Sequence, residues 1–391
     1  MTAVATSTVQ STATDRLRVA FVADTVHGRI GGGITSAERF VASLRRTHDV
    51  AVIGADPDEG EEGVRLRGFV LPVHAMRTMG FVMAKPDRKA IAKAVAAADV
   101  VHLQFPFWLS FVALEEARRA GKPVVAAFHV QPENLLYNVG IKSAWLCERL
   151  YRFWIDHLYG RADMVVCPTA FAEQKLRSHG LGAPTTVITN GIPTDVIEHA
   201  KKPPPQPATD ADAPFVIMCA GRFAKEKRQA DIIEAVRRCR NAARIKLVVA
   251  GRGPDAETVS RLAEQLPRRA EVGFFTREEL LTKLRSAHLF VHASEVELEG
   301  IAVLEAIGLG VPALVAAGPE TAASELAIDD RFRFPVGDID ALAARIDALV
   351  ESPDELARAR ELYAARVEEL DFERSVSKLA AVYTRLASPS G

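Results

Sequence analysis

The segment Ser294 to Pro312, SEVELEGIAVLEAIGLGVP, holds Glu297 and Glu305 with seven residues between them and Gly300 inside the interval. The pattern predicts a helix that starts near Ile301 and ends at Gly310, ahead of a strand. A glycine turn into a helix N-terminus presents free backbone N–H groups and a partial positive charge, both suited to a diphosphate. An acid a turn or two into that helix accepts hydrogen bonds from sugar hydroxyls. A nucleotide sugar carries both kinds of group. Gly221 to Lys227, GRFAKEK, adds cations. Arg222 binds a diphosphate through its planar fork and Lys227 as a mobile point charge, with Lys225 as a further candidate. Earlier in the chain, Gly31-Gly32-Gly33-Ile34 is a turn where the backbone comes close to a ligand. His129 in VVAAFHVQPEN, and His102 with Gln104 in DVVHLQFP, fall at or near strand ends.

These residues need a scaffold that brings them together. Leu17 to Asp24 reads as a strand, followed by the glycine turn and a helical pattern from Thr35 to Arg46. Strand and helix then alternate: Val50 to Gly54, Lys89 to Ala97, Val100 to Leu103, Phe111 to Ala120, Pro123 to His129, Ala144 to Tyr159, Met164 to Cys167 and Thr186 to Ile188. After Lys201 to Pro214, an extended connector rich in proline and aspartate, the alternation restarts at Phe215 to Ala220 and runs to the strand Ala313 to Ala316. Such alternation predicts two parallel-sheet α/β domains with a cleft between the carboxyl ends of their sheets. The expected organisation is a leader at 1–15, a first Rossmann-like domain at 16–197, a linker at 198–214, a second domain at 215–371 and a terminal helix and tail at 372–391. The stretch Asp371 to Leu386 is amphipathic, with Phe372, Val376, Leu379 and Val382 on one side, so it needs a surface to cover.

Composition excludes several classes. The chain has 391 residues, 48% hydrophobic and 25% charged, which fits a globular protein with a sizeable core. Its formal charge of -1 lacks the positive excess expected of a protein that wraps nucleic acid. Four scattered cysteines show no C-x-x-C spacing, so neither a disulfide framework nor a cysteine zinc site is expected. His288, His292 and Glu295 form no convincing ligand set, and no metal is expected. No apolar run approaches the roughly 20 residues of a membrane helix, and no export signal is visible. A cytoplasmic protein is expected, with membrane contact, if present, peripheral at the inner face.

The chain resembles the retaining GT-B glycosyltransferases of the GT4 type, whose signature is E-x7-E followed by A-x-x-x-G-x-P. GRFAKEK resembles the family's G-R-x-x-x-E-K segment. The resemblance implies a GT-B fold and a nucleoside-diphosphate sugar donor. It places Glu297 at the transferred sugar and Glu305 at the ribose. Arg222, Lys227, Gly300 and Ile301 then fall at the diphosphate, Gly32 and Gly33 against donor phosphates and acceptor, and His129 near the sugar as a participant in catalysis. His102 and Gln104 match a second family position whose residues support the site, and are kept as acceptor-side candidates as well. Thr169 and Asn190-Gly191-Ile192 resemble further landmarks, the latter before the interdomain hinge. Where the family usually reads E-G-F-G this chain has Glu297-Leu298-Glu299-Gly300. Glu295 and Glu299 therefore stay open beside Glu297 as the sugar contact, the spacing from Ser294 favouring Glu297.

The implied activity is transfer of a hexose to an acceptor hydroxyl with retention, with no cofactor beyond the donor substrate. Met76, Met79 and Met83 beside Arg77, Lys85 and Arg88 suit lipid tails and anionic headgroups. Met76, Arg77 and Met79 are further acceptor-side candidates. The segments FHVQPENLLYNVG and EVELEGIAVLEAIGLGVP resemble members that glycosylate diacylglycerol. Trp145, Leu146, Leu150, Phe153 and Trp154 with Lys142, Arg149 and Arg152 form another aromatic and basic stretch, explained more simply as a buried helix face with solvated charges. A soluble acceptor, a nucleotide-sugar 2-epimerase and a non-catalytic nucleotide-sugar-binding protein are the alternatives. The sequence leaves the oligomeric state and the donor open.

Overall fold

The computed structural model describes residues 16–26, 32–55, 63–70, 81–137, 139–202 and 213–388. The first half is built on a seven-stranded sheet. Its strands are β1 (Arg18–Val22), β2 (Asp49–Gly54), β3 (Gly63–Arg65), β6 (Val100–Leu103), β7 (Val124–Ala127), β8 (Met164–Cys167) and β9 (Thr185–Val187), in the order β3-β2-β1-β6-β7-β8-β9. Every pairing is parallel. The short pair β4 (Arg67–Phe69) and β5 (Met83–Lys85) is antiparallel and stands apart, which puts Met83 opposite Phe69 in a ribbon. The second half carries a six-stranded parallel sheet in the order β12-β11-β10-β13-β14-β15. Its strands are β10 (Phe215–Ala220), β11 (Ile245–Ala250), β12 (Glu271–Gly273), β13 (Leu289–His292), β14 (Ala313–Ala317) and β15 (Arg333–Pro335).

Central strands such as β6, β7 and β13 are buried along their whole length and are continuous apolar or near-apolar runs, as expected of sheets covered on both faces. Helices cover them: Gly32–Leu44, Trp108–Arg119 and Ala144–His157 in the first half, Gln229–Arg238, Ile301–Gly308 and Ile339–Val350 in the second. The first half of the expected connector begins inside a helix, Thr194–Lys201, and 203–212 lie outside the described residues, as do 1–15.

Two crossings join the halves, and they run side by side. Ile192 N–H donates to Leu370 O at 2.6 Å and Phe372 N–H to Ile192 O at 3.2 Å, closing a parallel bridge between Ile192 and Asp371. Gly191 makes this approach feasible: its φ is 70°, and a Cβ there would collide with the Phe372 backbone. The helix Phe372–Ala387 then lies on the first half, where Phe372, Val376, Leu379, Val382 and Tyr383 join a core with Phe21, Ile34, Phe40 and Phe105.

Candidate active site

On the second half, Lys225–Lys227 form a short turn after β10. It ends at Arg228, whose φ of 52° is left-handed, the one such non-glycine residue among those described. Sequence reasoning missed it. Arg228 is held by Asp231 at 2.7 Å and by Glu295 at 3.1 Å, and this over-determined conformation sends the chain sharply into the next helix. Lys227 reaches across to Glu297 Oε2, and His292 Nε2 lies 3.4 Å from the same oxygen. Burial pushes the Glu297 carboxyl up, but the Lys227 charge, then His292, outweigh it and hold the group at about 2. Its backbone is pinned as well: Glu297 N–H donates to Glu320 O at 3.0 Å, and Ala322 N–H to Glu297 O at 2.8 Å. Arg222 ion-pairs with the buried Glu226, and its carbonyl accepts from Gln229 at 2.8 Å. Lys225 is exposed.

Gly300 caps the helix Ile301–Gly308 in the left-handed region, φ 92°, with no side-chain cap and no acid in the first turn. Its N-terminal N–H groups and the dipole therefore remain available to an anion. Glu305, one turn in, is nearly buried. Its Oε1 is gripped by Arg277 Nη1 at 2.8 Å and by Arg39 Nη2 at 3.3 Å, while Oε2 has no hydrogen bond among the described residues. Arg277 also holds Asp195 at 2.7 Å. Neither arginine was singled out from the sequence; Arg277, just past β12 at a strand's carboxyl end, carried the only local signal.

The three neighbouring glutamates separate cleanly. Glu295 is bound by Arg228 and, from the first half, by Lys142 at 3.2 Å. Glu299 is buried among neutral donors: Thr189 Oγ1, Asn190 N–H at 2.9 Å and the Asn190 side-chain amide. Burial pushes its carboxyl up to about 7 against these hydrogen bonds. Asn190 in turn accepts from Ser36 in the Gly32–Leu44 helix, so Glu299 ties the hinge to both halves. Thr169 caps the helix Ala170–Ser178 and donates to Leu298 O at 2.9 Å. Of the three, Glu297 alone is held by Lys227.

On the first half, the helix Gly32–Leu44 opens directly from the glycine turn. A Cβ on Gly32 would lie 3.4 Å from Ile301 Cδ1, so the two glycine-led helix starts face each other across the cleft. A Cβ on Gly33 would lie 3.0 Å from Phe105 and 3.5 Å from His129 Cβ, which places His129 beside the turn. Burial pulls the His129 imidazole down to about 4, so it is neutral at neutral pH. His102 is corrected as an acceptor contact. It is 2% exposed, stacked on Phe21 at 4.5 Å and bonded through both ring nitrogens, to Gln104 at 3.1 Å and Tyr383 at 2.8 Å. Gln104 is likewise buried and donates to Gly33 O at 3.2 Å. Both act behind the turn.

Met76, Arg77 and Met79 lie outside the described residues. The stretch at Trp145 also differs from expectation. Cys147, Tyr151, Trp154 and Ile155 form the buried face of its helix, but Trp145 is 65% and Phe153 46% exposed. No group of His, Cys, Asp or Glu suited to a metal occurs among the described residues. His288 accepts from Val216 N–H at 2.9 Å, His292 faces Glu297, and Glu295 faces cations.

Residues 30–196 match the family model for Glycosyltransferase Family 4, and 201–366 match Glycosyl transferases group 1. The chain is a GT-B glycosyltransferase of the GT4 type. It is 29% identical over 328 residues to a GDP-mannose-dependent alpha-mannosyltransferase of Mycolicibacterium smegmatis, covering 78% of this chain and 81% of that one. It is 23% identical to the alpha-monoglucosyldiacylglycerol synthase of Streptococcus pneumoniae, with 86% and 79% covered. Anabaena HepE in complex with UDP and glucose shares the fold, with a TM-score of 0.72 at 17% identity over 95% of this chain and 100% of that one. Among the described residues the glycosyltransferase thus has a cleft where Lys227, Glu297, Arg222 and Glu226 come from the second half, and Arg39, Lys142, Lys175 and Asp195 reach across from the first to Glu305, Glu295, Glu320 and Arg277.

Proposed function

We propose that this glycosyltransferase moves a hexose from a nucleoside-diphosphate sugar to an acceptor hydroxyl with retention of configuration, and that the acceptor is a membrane lipid such as diacylglycerol. The observation that carries the reading is the opposition of the two helix starts at Gly32 and Ile301, with Lys227 bound to Glu297 beside them. In this reading the diphosphate lies between the helix starts, and Arg222 and Lys227 neutralise it as the glycosidic bond breaks. Lys227 spans the phosphate and Glu297, which stays ionised and supports positive character at the anomeric carbon. The leaving phosphate takes the acceptor proton on the same face, so no protein base is required. Neutral His129 donates or accepts a hydrogen bond at the sugar, and Glu305 Oε2 is open to the ribose. No metal ion enters this scheme, and activity is expected to survive EDTA.

The lipid acceptor is supported by the exposed Trp108, Trp145 and Phe153 on the first half, with the Arg149 guanidinium 5.0 Å over the Trp145 ring. Such a surface suits peripheral contact with an anionic leaflet. No helix among the described residues is long and apolar enough to cross a membrane. The diacylglycerol synthase relative adds support at low identity. The test is incubation with UDP- and GDP-hexoses and diacylglycerol in anionic vesicles, with NMR of the new anomeric centre. An α-linked glycolipid from an α-donor is expected; an inverted product, or a free epimerised nucleotide sugar, would contradict the reading, and transfer to soluble sugars alone would remove the lipid.

A further inference from the structure

Four polar groups form a buried chain from the C-terminal helix to the glycine turn: Tyr383 Oη, His102, Gln104 and Gly33 O, at successive separations of 2.8, 3.1 and 3.2 Å. Its polarity follows from one end. A carbonyl only accepts, so the Gln104 amide must turn its NH2 to Gly33 and its Oε1 to His102. His102 must then carry its proton on Nε2, which leaves Nδ1 bare. Tyr383 therefore donates. Burial pulls the His102 imidazole down to about 3, so this neutral tautomer persists through physiological pH. Phe21 stacks on the imidazole at an interplanar angle of 7° and the Tyr383 ring meets it edge-on at 81°, so the ring has no freedom to rotate out of the chain.

The tyrosine hydroxyl is not what docks its helix. Phe372, Val376, Leu379 and Val382 bury that face without it. The chain's other end is accessible: Gly32 is exposed and Gly33 half-buried at the cleft. Gly33 is thus wedged between Phe105 and His129 and drawn from behind by Gln104. We propose that Tyr383 is a positioning residue for donor binding, setting the first turn of the Gly32–Leu44 helix through His102 and Gln104. The inference rests on the reading of that turn as a donor diphosphate contact. It makes the C-terminal helix, which follows the second crossing between the halves, a determinant of affinity for the donor and not of stability alone.

The experiment is a double-mutant cycle of Tyr383→Phe and Gln104→Leu, read by calorimetric titration with UDP, GDP and ADP and by melting temperature. Using the diphosphate that binds the wild type most tightly, Tyr383→Phe is expected to weaken binding by roughly three- to tenfold with little loss of melting temperature. In the Gln104→Leu background the same change is expected to cost less than about 1.5-fold, because the hydroxyl then has nothing to act through. If Gln104→Leu does not fold, Gln104→Met replaces it, since a thioether fills similar space but has no hydrogen to donate to Gly33. Unchanged affinity in folded Tyr383→Phe, or equal losses in both backgrounds, would overturn the inference. A wild type that binds none of the three diphosphates would instead fail the donor reading, and the inference with it.

Discussion

The two walls of the cleft are built from opposite materials. The second half presents Lys227 with Glu297, Arg222 with Glu226, and Glu305 with Arg277, nearly every acid matched by a cation. The first half presents a bare helix start, Phe105, a neutral His129 and the neutral chain through Gln104 and His102. The contrast recurs at closer range in two glutamates two residues apart. Glu297, against an ammonium, is held at about 2, whereas Glu299, against hydroxyl and amide donors, rises to about 7. Charge handling around Glu297 and Arg222 therefore belongs to side chains of the second half, with Arg39, Lys142 and Lys175 of the first half meeting acids farther along the same wall. The first half contributes dipoles and shape, suited to hydroxyl-bearing groups that change charge little during the reaction.

The largest break in this contrast is Lys227→Met. It leaves Glu297 without its main partner and, on the proposed donor reading, removes a cation from the diphosphate, so kcat/KM should fall by about a hundredfold or more, roughly 2.7 kcal/mol of transition-state stabilisation. Next, Glu297→Ala and Arg222→Ala should each lower kcat/KM by at least about tenfold. Near wild-type rates in both folded variants would dissolve the charged wall as an active surface.

A smaller effect separates the two glutamates by pH. Glu299 is raised from 4.5 to about 7, so between those values the folded chain keeps a proton that the unfolded chain has released. Its stabilising contribution is full below about 4.5 and is lost as the pH rises through 7. Glu297, depressed from the same 4.5, contributes above that value and loses its contribution only as the pH falls toward 2. Glu299→Gln should accordingly flatten the decline in melting temperature between pH 5 and 8, by on the order of 4 °C or more at pH 8. An identical pH profile would show that Glu299 does not titrate there. The smallest effect concerns the outer surface: Arg149→Glu should weaken cosedimentation with anionic vesicles about threefold at low salt and leave soluble turnover unchanged.

Much of this was legible in the sequence because the signals were local. β6, β8 and β10 were readable to the residue as short apolar runs. The helix starts at Gly32 and Ile301 fell within a few residues of their expected places. The partners were not legible. Glu295, Glu297 and Glu299 look alike in sequence, and what distinguishes them are Lys142, Lys227 and Asn190, each scores of residues away. Arg39 meets Glu305 from the other half of the molecule, 266 residues away, and Arg277 from a separate helix of the same half, 28 residues away. Short strands such as β4 and β12 are three residues long and give periodicity nothing to work on. His102 read as a supporting group or an acceptor-side candidate near a strand end; what it supports was not legible, because its ring bonds the Tyr383 hydroxyl, a contact across 281 residues.

The division between the walls is tested most directly by calorimetric titration of His129→Ala and Lys227→Met with a nucleoside diphosphate and with the corresponding nucleotide sugar. Lys227→Met is predicted to weaken both ligands, since both carry the diphosphate. His129→Ala is predicted to weaken the nucleotide sugar by roughly fivefold and to leave the diphosphate unchanged, because a neutral imidazole meets only the sugar. An equal loss of both ligands in His129→Ala, or an undiminished diphosphate affinity in Lys227→Met, would contradict the account.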